Sequence, residues 1–273
     1  MNNLKWTSPD EQMIALDGAL ISTSTWGPPP DEAMTFVLLH EGLGSVAMWR
    51  DFPERLSAST GLGVLAYSRQ GYGNSSPCVL PRPLDYMERE ATQVLPKMLD
   101  AAGIKRCILL GHSDGGSIAA LHQAHVNDPR VRGLILVAPH FFVEDISVES
   151  IDIVRTAWRG TDLPQRLSKY HADAENAFLG WNQAWLDPDF RDWDITDCLA
   201  AIEVPVLALQ GTTDDYGTAA QVEIIGKRSN APSEIHLIEE CGHSPFKDQP
   251  VQTLDLITSF AARLTASEST PAQ

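Results

Sequence analysis

Short apolar runs alternate with longer stretches of three-and-four spacing along most of this chain. The runs cover residues 35–40, 63–67, 107–111, 134–138, 204–210 and 235–238. Most are nearly continuous apolar stretches of strand length, which suits strands buried on both faces of a parallel sheet. The segments between them read as helices. Leu84, Met87, Ala91, Val94, Met98 and Ala102 recur at spacings of three and four, and so do Val251, Leu254, Ile257, Ala261 and Leu264. Each set gives one apolar stripe to pack on a sheet. Pro96 lies inside the first set and should kink that helix. Strand–helix alternation implies right-handed crossovers and a doubly wound sheet.

Two regions depart from the alternation. Near the start, Asp17-Gly18 separates two apolar runs and signals a hairpin. Between 141 and 202 the chain is polar, helix-compatible and rich in tryptophan, with Trp158, Trp181, Trp185 and Trp193. A simple crossover needs only about 10–12 residues. This longer stretch therefore reads as an inserted helical lid. The expected architecture is α/β, a mostly parallel doubly wound sheet of about eight strands. Residues 1–140 and 202–273 form the core and 141–201 the cap. The small, polar tail, 266–273, should fray.

Composition narrows the function classes. Among 273 residues, 43% are hydrophobic, which supports a buried core. Twenty Lys and Arg against 36 Asp and Glu leave a formal charge of -16 and no basic stripe for nucleic acid. No apolar run approaches the ~20 residues of a membrane span, and none follows the opening Met-Asn-Asn-Leu-Lys-Trp as a signal peptide would. Cys78, Cys107, Cys198 and Cys241 are far apart, without the short spacing of a metal site. They read as reduced thiols of a cytoplasmic protein. The expected partners are a small-molecule substrate and at most a second copy of the chain, with no metal or organic cofactor.

The candidate chemistry starts at Gly111-His112-Ser113-Asp114-Gly115, which fits Gly-x-Ser-x-Gly. It follows a strand run and precedes an amphipathic segment, the setting of a nucleophile elbow. The glycines leave room for a tight turn that exposes the Ser113 hydroxyl. A hydroxyl needs a base to attack. His243, in Glu240-Cys-Gly-His-Ser-Pro245, follows the last strand run and completes the order Ser…Asp…His. The acid should follow the run before it, where Asp214 is favoured by spacing and Asp215 is the alternative. One oxyanion donor should be the amide of Asp114, directly after the nucleophile. The other should come from His40-Glu-Gly-Leu-Gly-Ser45, whose glycines let the backbone approach a substrate.

On these motifs the chain resembles the α/β-hydrolase superfamily, specifically its small, lid-bearing single-domain members, from about residue 13 to 264. Ser68-Arg-Gln-Gly-Tyr-Gly-Asn-Ser75 is similar to that family's Asp-x-x-Gly-x-Gly-x-Ser loop, with Ser68 in place of Asp. The resemblance implies an α/β-hydrolase fold and a catalytic triad of Ser113, Asp214 and His243. The family's His-Gly-x becomes His40-Glu41-Gly42 here. Counting back from Trp49, Gly42 takes the donor position, with Glu41 and Leu43 as alternatives.

These features lead to a serine hydrolase of a small, moderately apolar ester, lactone or thioester. The superfamily also admits carbon–carbon bond hydrolases, cofactor-free haloperoxidases and lyases. A non-catalytic binding module would usually lack one triad member. For the substrate pocket, the candidates are Glu41, His140, Phe141, Trp158, Trp181 and Trp185.

Overall fold

The computed structural model describes residues 4–6 and 9–268. Its first element is a hairpin of β1 (Gln12–Leu16) and β2 (Ala19–Trp26). Asp17 and Gly18 both take positive φ, 49° and 86°, the turn whose twist matches that of paired strands. Strands and helices then alternate: β3 (Thr35–Leu39), α1 (Phe52–Thr60), β4 (Gly63–Tyr67), α2 (Tyr86–Arg89), α3 (Leu95–Ala101), β5 (Cys107–His112), α4 (Asp114–Val126) and β6 (Val131–Val137). Three helices follow, α5 (Asp145–Gly160), α6 (Leu163–Leu167) and α7 (Ala174–Trp185). The chain ends with β7 (Val206–Gly211), α8 (Ala220–Arg228), β8 (Ser233–Ile238), α9 (Pro245–Asp248) and α10 (Pro250–Glu268).

The eight strands form one sheet in the order β1-β2-β4-β3-β5-β6-β7-β8. The two pairings of β2 are antiparallel and all others parallel. Alternate residues of each strand feed opposite layers. Val37, Leu39, Leu109 and Leu136 face the layer of α3 and α4, with Met98, Ile118 and Leu121. Phe36, Leu38, Leu110 and Val137 face α1 and α10, with Leu56, Ile257, Phe260 and Leu264. Strands covered on both sides need continuous apolar sequence, which is why β3, β4, β5 and β7 are buried along their length. β8 is an edge strand and only half buried.

Three details refine the sequence reading. The stripe from Leu84 to Ala102 holds one helical run, interrupted just before Pro96. A π-helical turn, Glu90–Val94, separates α2 from α3 just before Pro96, which can neither donate an N–H nor tolerate the carbonyl four residues back. The tail is not frayed from 266, since α10 runs to Glu268; residues 269–273 lie outside the described residues. Ser68 has a clear local role, because its hydroxyl accepts the Val46 N–H at 3.0 Å, at the start of the short 3-10 turn Val46–Trp49.

The segment between β6 and β7 closes at its base. Phe142 and Asp194 form an antiparallel bridge, the Ile195 N–H reaches the Phe141 carbonyl at 2.7 Å, and the Val143 N–H reaches that of Trp193 at 3.2 Å. α5, α6 and α7 are carried between these two ends. Among the described residues, no helix is long and apolar enough to cross a membrane.

Candidate active site

Ser113 sits between the end of β5 and the first residue of α4 with φ 55° and ψ -120°. A non-glycine residue there bears about 1–3 kcal/mol of backbone strain. The turn is held from both sides. The Ser113 N–H donates to Val137 on β6 at 2.9 Å, and a Cβ at Gly115 would lie 2.0 Å from the Leu39 carbonyl oxygen of β3. Only glycine lets α4 start this close to the sheet. As the first residue of α4, Asp114 has an amide with no intrahelical acceptor, and that amide is free to donate elsewhere.

His243 and Asp214 lie on the loops after β8 and β7, two neighbouring strands. The His243 Nδ1 is 2.8 Å from Asp214 Oδ2 and 3.0 Å from Oδ1. Asp214 also accepts the Tyr216 N–H at 2.7 Å and the Gln210 side-chain N–H at 2.7 Å. Burial opposes its charge, but the hydrogen bond and charge of His243 and the Tyr216 amide outweigh burial and hold its carboxyl below the usual carboxylate range. Asp215 is exposed, and its carbonyl accepts the Ser150 hydroxyl.

One cavity of about 380 Å³ opens onto this edge. Glu41, Gly42, Ser113, Asp114, His140 and His243 line one wall. Ile151, Val154, Leu163, Leu167, Trp181 and Trp185 line the other, from α5, α6 and α7. Two expected pocket residues are elsewhere. Phe141 is fully buried and donates its N–H to Gln221 at 2.7 Å, and Trp158 stacks on Phe178 with ring centroids 4.1 Å apart. Both pack the insertion together, because sequence alone does not show which face of a helix or turn an aromatic ring takes.

The His40–Gly44 loop is tightly bonded. The Glu41 carboxylate accepts the Leu43 N–H at 2.7 Å, so Glu41 braces its own loop and the Leu43 amide is occupied. The Glu41 carbonyl accepts from His40 Nδ1 at 2.7 Å, from Arg69 at 3.1 Å and from the Gly44 N–H at 3.0 Å. The Leu43 carbonyl accepts from His171 Nε2 at 3.0 Å. Gly42 lies hard against α7, since a Cβ there would lie 2.1 Å from the Trp181 indole nitrogen.

Sequence reasoning missed several residues that shape this site. Buried His112 donates from Nε2 to the His243 carbonyl at 2.6 Å. Gln210 ties Asp214 to the Gly217 carbonyl at 2.9 Å. The Asp114 carboxylate accepts from the Tyr86 hydroxyl at 2.6 Å and from the Trp185 indole at 3.2 Å. The only signal for Gln210 was a polar residue ending an apolar run. His140 lines the cavity with a buried Nδ1 that has no hydrogen-bond partner among the described residues, and burial followed by the charge of His243 pushes its pKa down to about 4. Among the described residues, no three His, Cys, Asp or Glu side chains converge as a metal site requires.

Known proteins share both the fold and this arrangement of the chain. The model of the alpha/beta hydrolase family matches residues 36–256. The chain belongs to that family and is a hydrolase by class. It is 34% identical to a human (lyso)-N-acylphosphatidylethanolamine lipase over 122 residues, 45% of this chain but only 35% of the lipase. It is 23% identical to a proline iminopeptidase of Lactobacillus helveticus, covering 84% of this chain and 90% of the peptidase. A solved carboxylesterase structure from Nitrososphaera gargenis superposes with a TM-score of 0.74 at 17% identity, covering 94% of this chain and all of that one.

Proposed function

We propose that this hydrolase cleaves a small, moderately apolar ester, lactone or thioester through an acyl-enzyme on Ser113. One observation carries the reading. A strained serine at a helix start shares a largely apolar cavity with a histidine whose far nitrogen is tied to a buried carboxylate. In this reading His243 takes the Ser113 proton as the hydroxyl oxygen attacks the carbonyl carbon. Asp214 keeps His243 in the tautomer with Nε2 unprotonated and stabilises the imidazolium. The amides of Gly42 and Asp114 hold the oxyanion. His243 then protonates the leaving group and later activates the water that releases the acid. Residues 1–140 and 202–273 are the catalytic core, and 141–201 the substrate-facing cap. The mostly apolar wall from α5, α6 and α7, broken by Arg166, favours a moderately apolar acyl group.

The test compares turnover of short-chain aryl esters by the wild type and Ser113→Ala, with labelling by an active-serine phosphonate. Loss of both in the variant is expected. Unchanged turnover in Ser113→Ala removes the mechanism, and no turnover or labelling in either protein points to a binding module. Lactones, thioesters, a diketone and a proline arylamide then separate ester chemistry from carbon–carbon and peptide hydrolysis.

A further inference from the structure

Arg69 is a charged side chain that is only 2% exposed. It does not form an ordinary surface pair. One terminal nitrogen donates to the His40 carbonyl and the other to the Glu41 carbonyl at 3.1 Å. The same guanidinium lies 3.8 Å from the Asp114 carboxylate, itself fully buried. Its backbone N–H donates to His40 Nε2 at 3.0 Å, which leaves His40 Nδ1 to donate to the Glu41 carbonyl. Burial disfavours the guanidinium charge, yet Tyr72 and Asp114 beside it more than offset this and raise its pKa.

The Glu41 carbonyl and the Gly42 N–H belong to one peptide unit. A planar peptide that is bonded hard at its oxygen has its N–H direction fixed at the other end. A cation and two further donors on that oxygen also draw electron density from the N–H and strengthen it as a donor, by about 10–30% per bond. At the Asp114 end the link is mechanical and not electronic: Arg69, with the Tyr86 hydroxyl and the Trp185 indole, anchors the side chain of the residue whose backbone carries the other amide. From this geometry we infer that Arg69 is a positioning residue for both oxyanion donors, acting through the Glu41–Gly42 peptide and through Asp114. It touches no reacting atom. Its effect is confined to the species with charge on the carbonyl oxygen. This inference rests on the acyl-transfer reading above.

An aryl trifluoromethyl ketone gives the needed probe. Ser113 Oγ bonds to its carbonyl carbon, the carbonyl electron pair becomes an alkoxide, and the serine proton moves to His243. The inhibitor constant therefore reports the oxyanion hole, whereas KM reports mainly ground-state binding. Arg69→Met alone leaves Asp114 buried and unpaired, so the comparison is Arg69→Met in an Asp114→Asn background against Asp114→Asn alone. Asparagine keeps the backbone N–H and needs no cation. The expected result is a fall in kcat of about 10- to 100-fold with KM within about threefold, below the 10²–10³-fold cost of deleting a donor. The ketone should weaken by the same factor as kcat, and Arg69→Lys should restore part of both.

An unchanged ketone constant in the pair, or loss appearing only in KM, overturns the inference. Should the double variant fail to fold, Arg69→Lys in the Asp114→Asn background keeps the cation but not the two-nitrogen grip on the His40 and Glu41 carbonyls. Its ketone constant must then weaken by more than its KM rises, and equal changes overturn the inference. Ser113→Ala separates the two levels. If Ser113→Ala still turns over ester, the acyl-transfer reading has failed. If it is inactive while the Arg69 variants bind the ketone as before, only the role of Arg69 has failed.

Discussion

The His112 ring donates from Nε2 to the backbone carbonyl of His243 at 2.6 Å, with ring centroids 5.0 Å apart. The residue before the proposed nucleophile thus holds the main chain of the proposed base. This strut ties the end of β5 to the loop after β8, across the strands between them. His112→Leu leaves a carbonyl without its donor, at a cost of about 1–3 kcal/mol. Denaturant unfolding should show that loss, and kcat should fall by roughly tenfold with KM nearly unchanged. A lower stability with wild-type kcat would make the strut purely structural.

Asp214 and Asp215 should separate cleanly. Asp214→Asn keeps the shape but disturbs the His243 tautomer, an effect of about 10⁴-fold in kcat where such a triad is at work. Asp215→Asn alters an exposed side chain and should leave kcat within about twofold. Steady-state kinetics on both variants decides, and equal losses would contradict the assignment.

Gly42→Ala puts a methyl where the Trp181 indole lies, 2.1 Å from its nitrogen. Either the ring or the loop must move, and misplacing the Gly42 amide should cost about 10²-fold in kcat/KM. Trp181→Leu added to Gly42→Ala restores space and should recover part of the loss. Recovery measured against Trp181→Leu alone tests the steric origin. A double variant no better than Gly42→Ala argues for a different cause.

Stability should fall on mild acidification. His40, His112, His122, His140 and His171 all have pKa values lowered, in each case by burial first. Below about pH 6.5 the unfolded chain takes up protons that the folded chain refuses. The stability these groups confer is therefore full above that value. It is lost as pH falls toward the folded values, about 4 for His140, at up to about 1.4 kcal/mol per pH unit for each proton. Asp214, with its pKa lowered, adds a loss only below the ordinary carboxylate range near pH 4. Urea midpoints at pH 7.5, 6.5 and 5.5 should drop progressively, and His140→Gln should flatten the slope. A flat profile over this interval would refute the account.

The parallel strands were legible because burial on both faces demands unbroken apolar sequence, as in Leu109-Leu110 and Val206-Leu207. Ser113 and His243 stood out as candidates because strand, loop and chain order agree, and Asp214 by spacing; the fold places Asp214, not Asp215, in hydrogen-bond contact with His243. The second half of β2 was hidden. Ser22, Thr23, Ser24 and Thr25 are all buried, yet they form no apolar run. Their hydroxyls have partners that sequence cannot show, such as Thr23 on the Gln12 carbonyl at 3.0 Å. Arg69 was hidden for the same reason, since a guanidinium reads as surface until the carbonyls that hold it are known. Phe141 and Trp158 misled in the opposite sense, because aromatic character in the insertion does not distinguish a ring facing a ligand from one packing a helix.

The bridge between Phe142 and Asp194 has an evolutionary consequence. The segment leaves and rejoins the core within one ladder step, between β6 and β7. The roughly fifty residues so enclosed are nonetheless anchored beyond that point, since Trp185 donates to the Asp114 carboxylate and His171 to the Leu43 carbonyl. A substitution in this segment is therefore felt by the loops around Ser113, and the two should vary together and not independently.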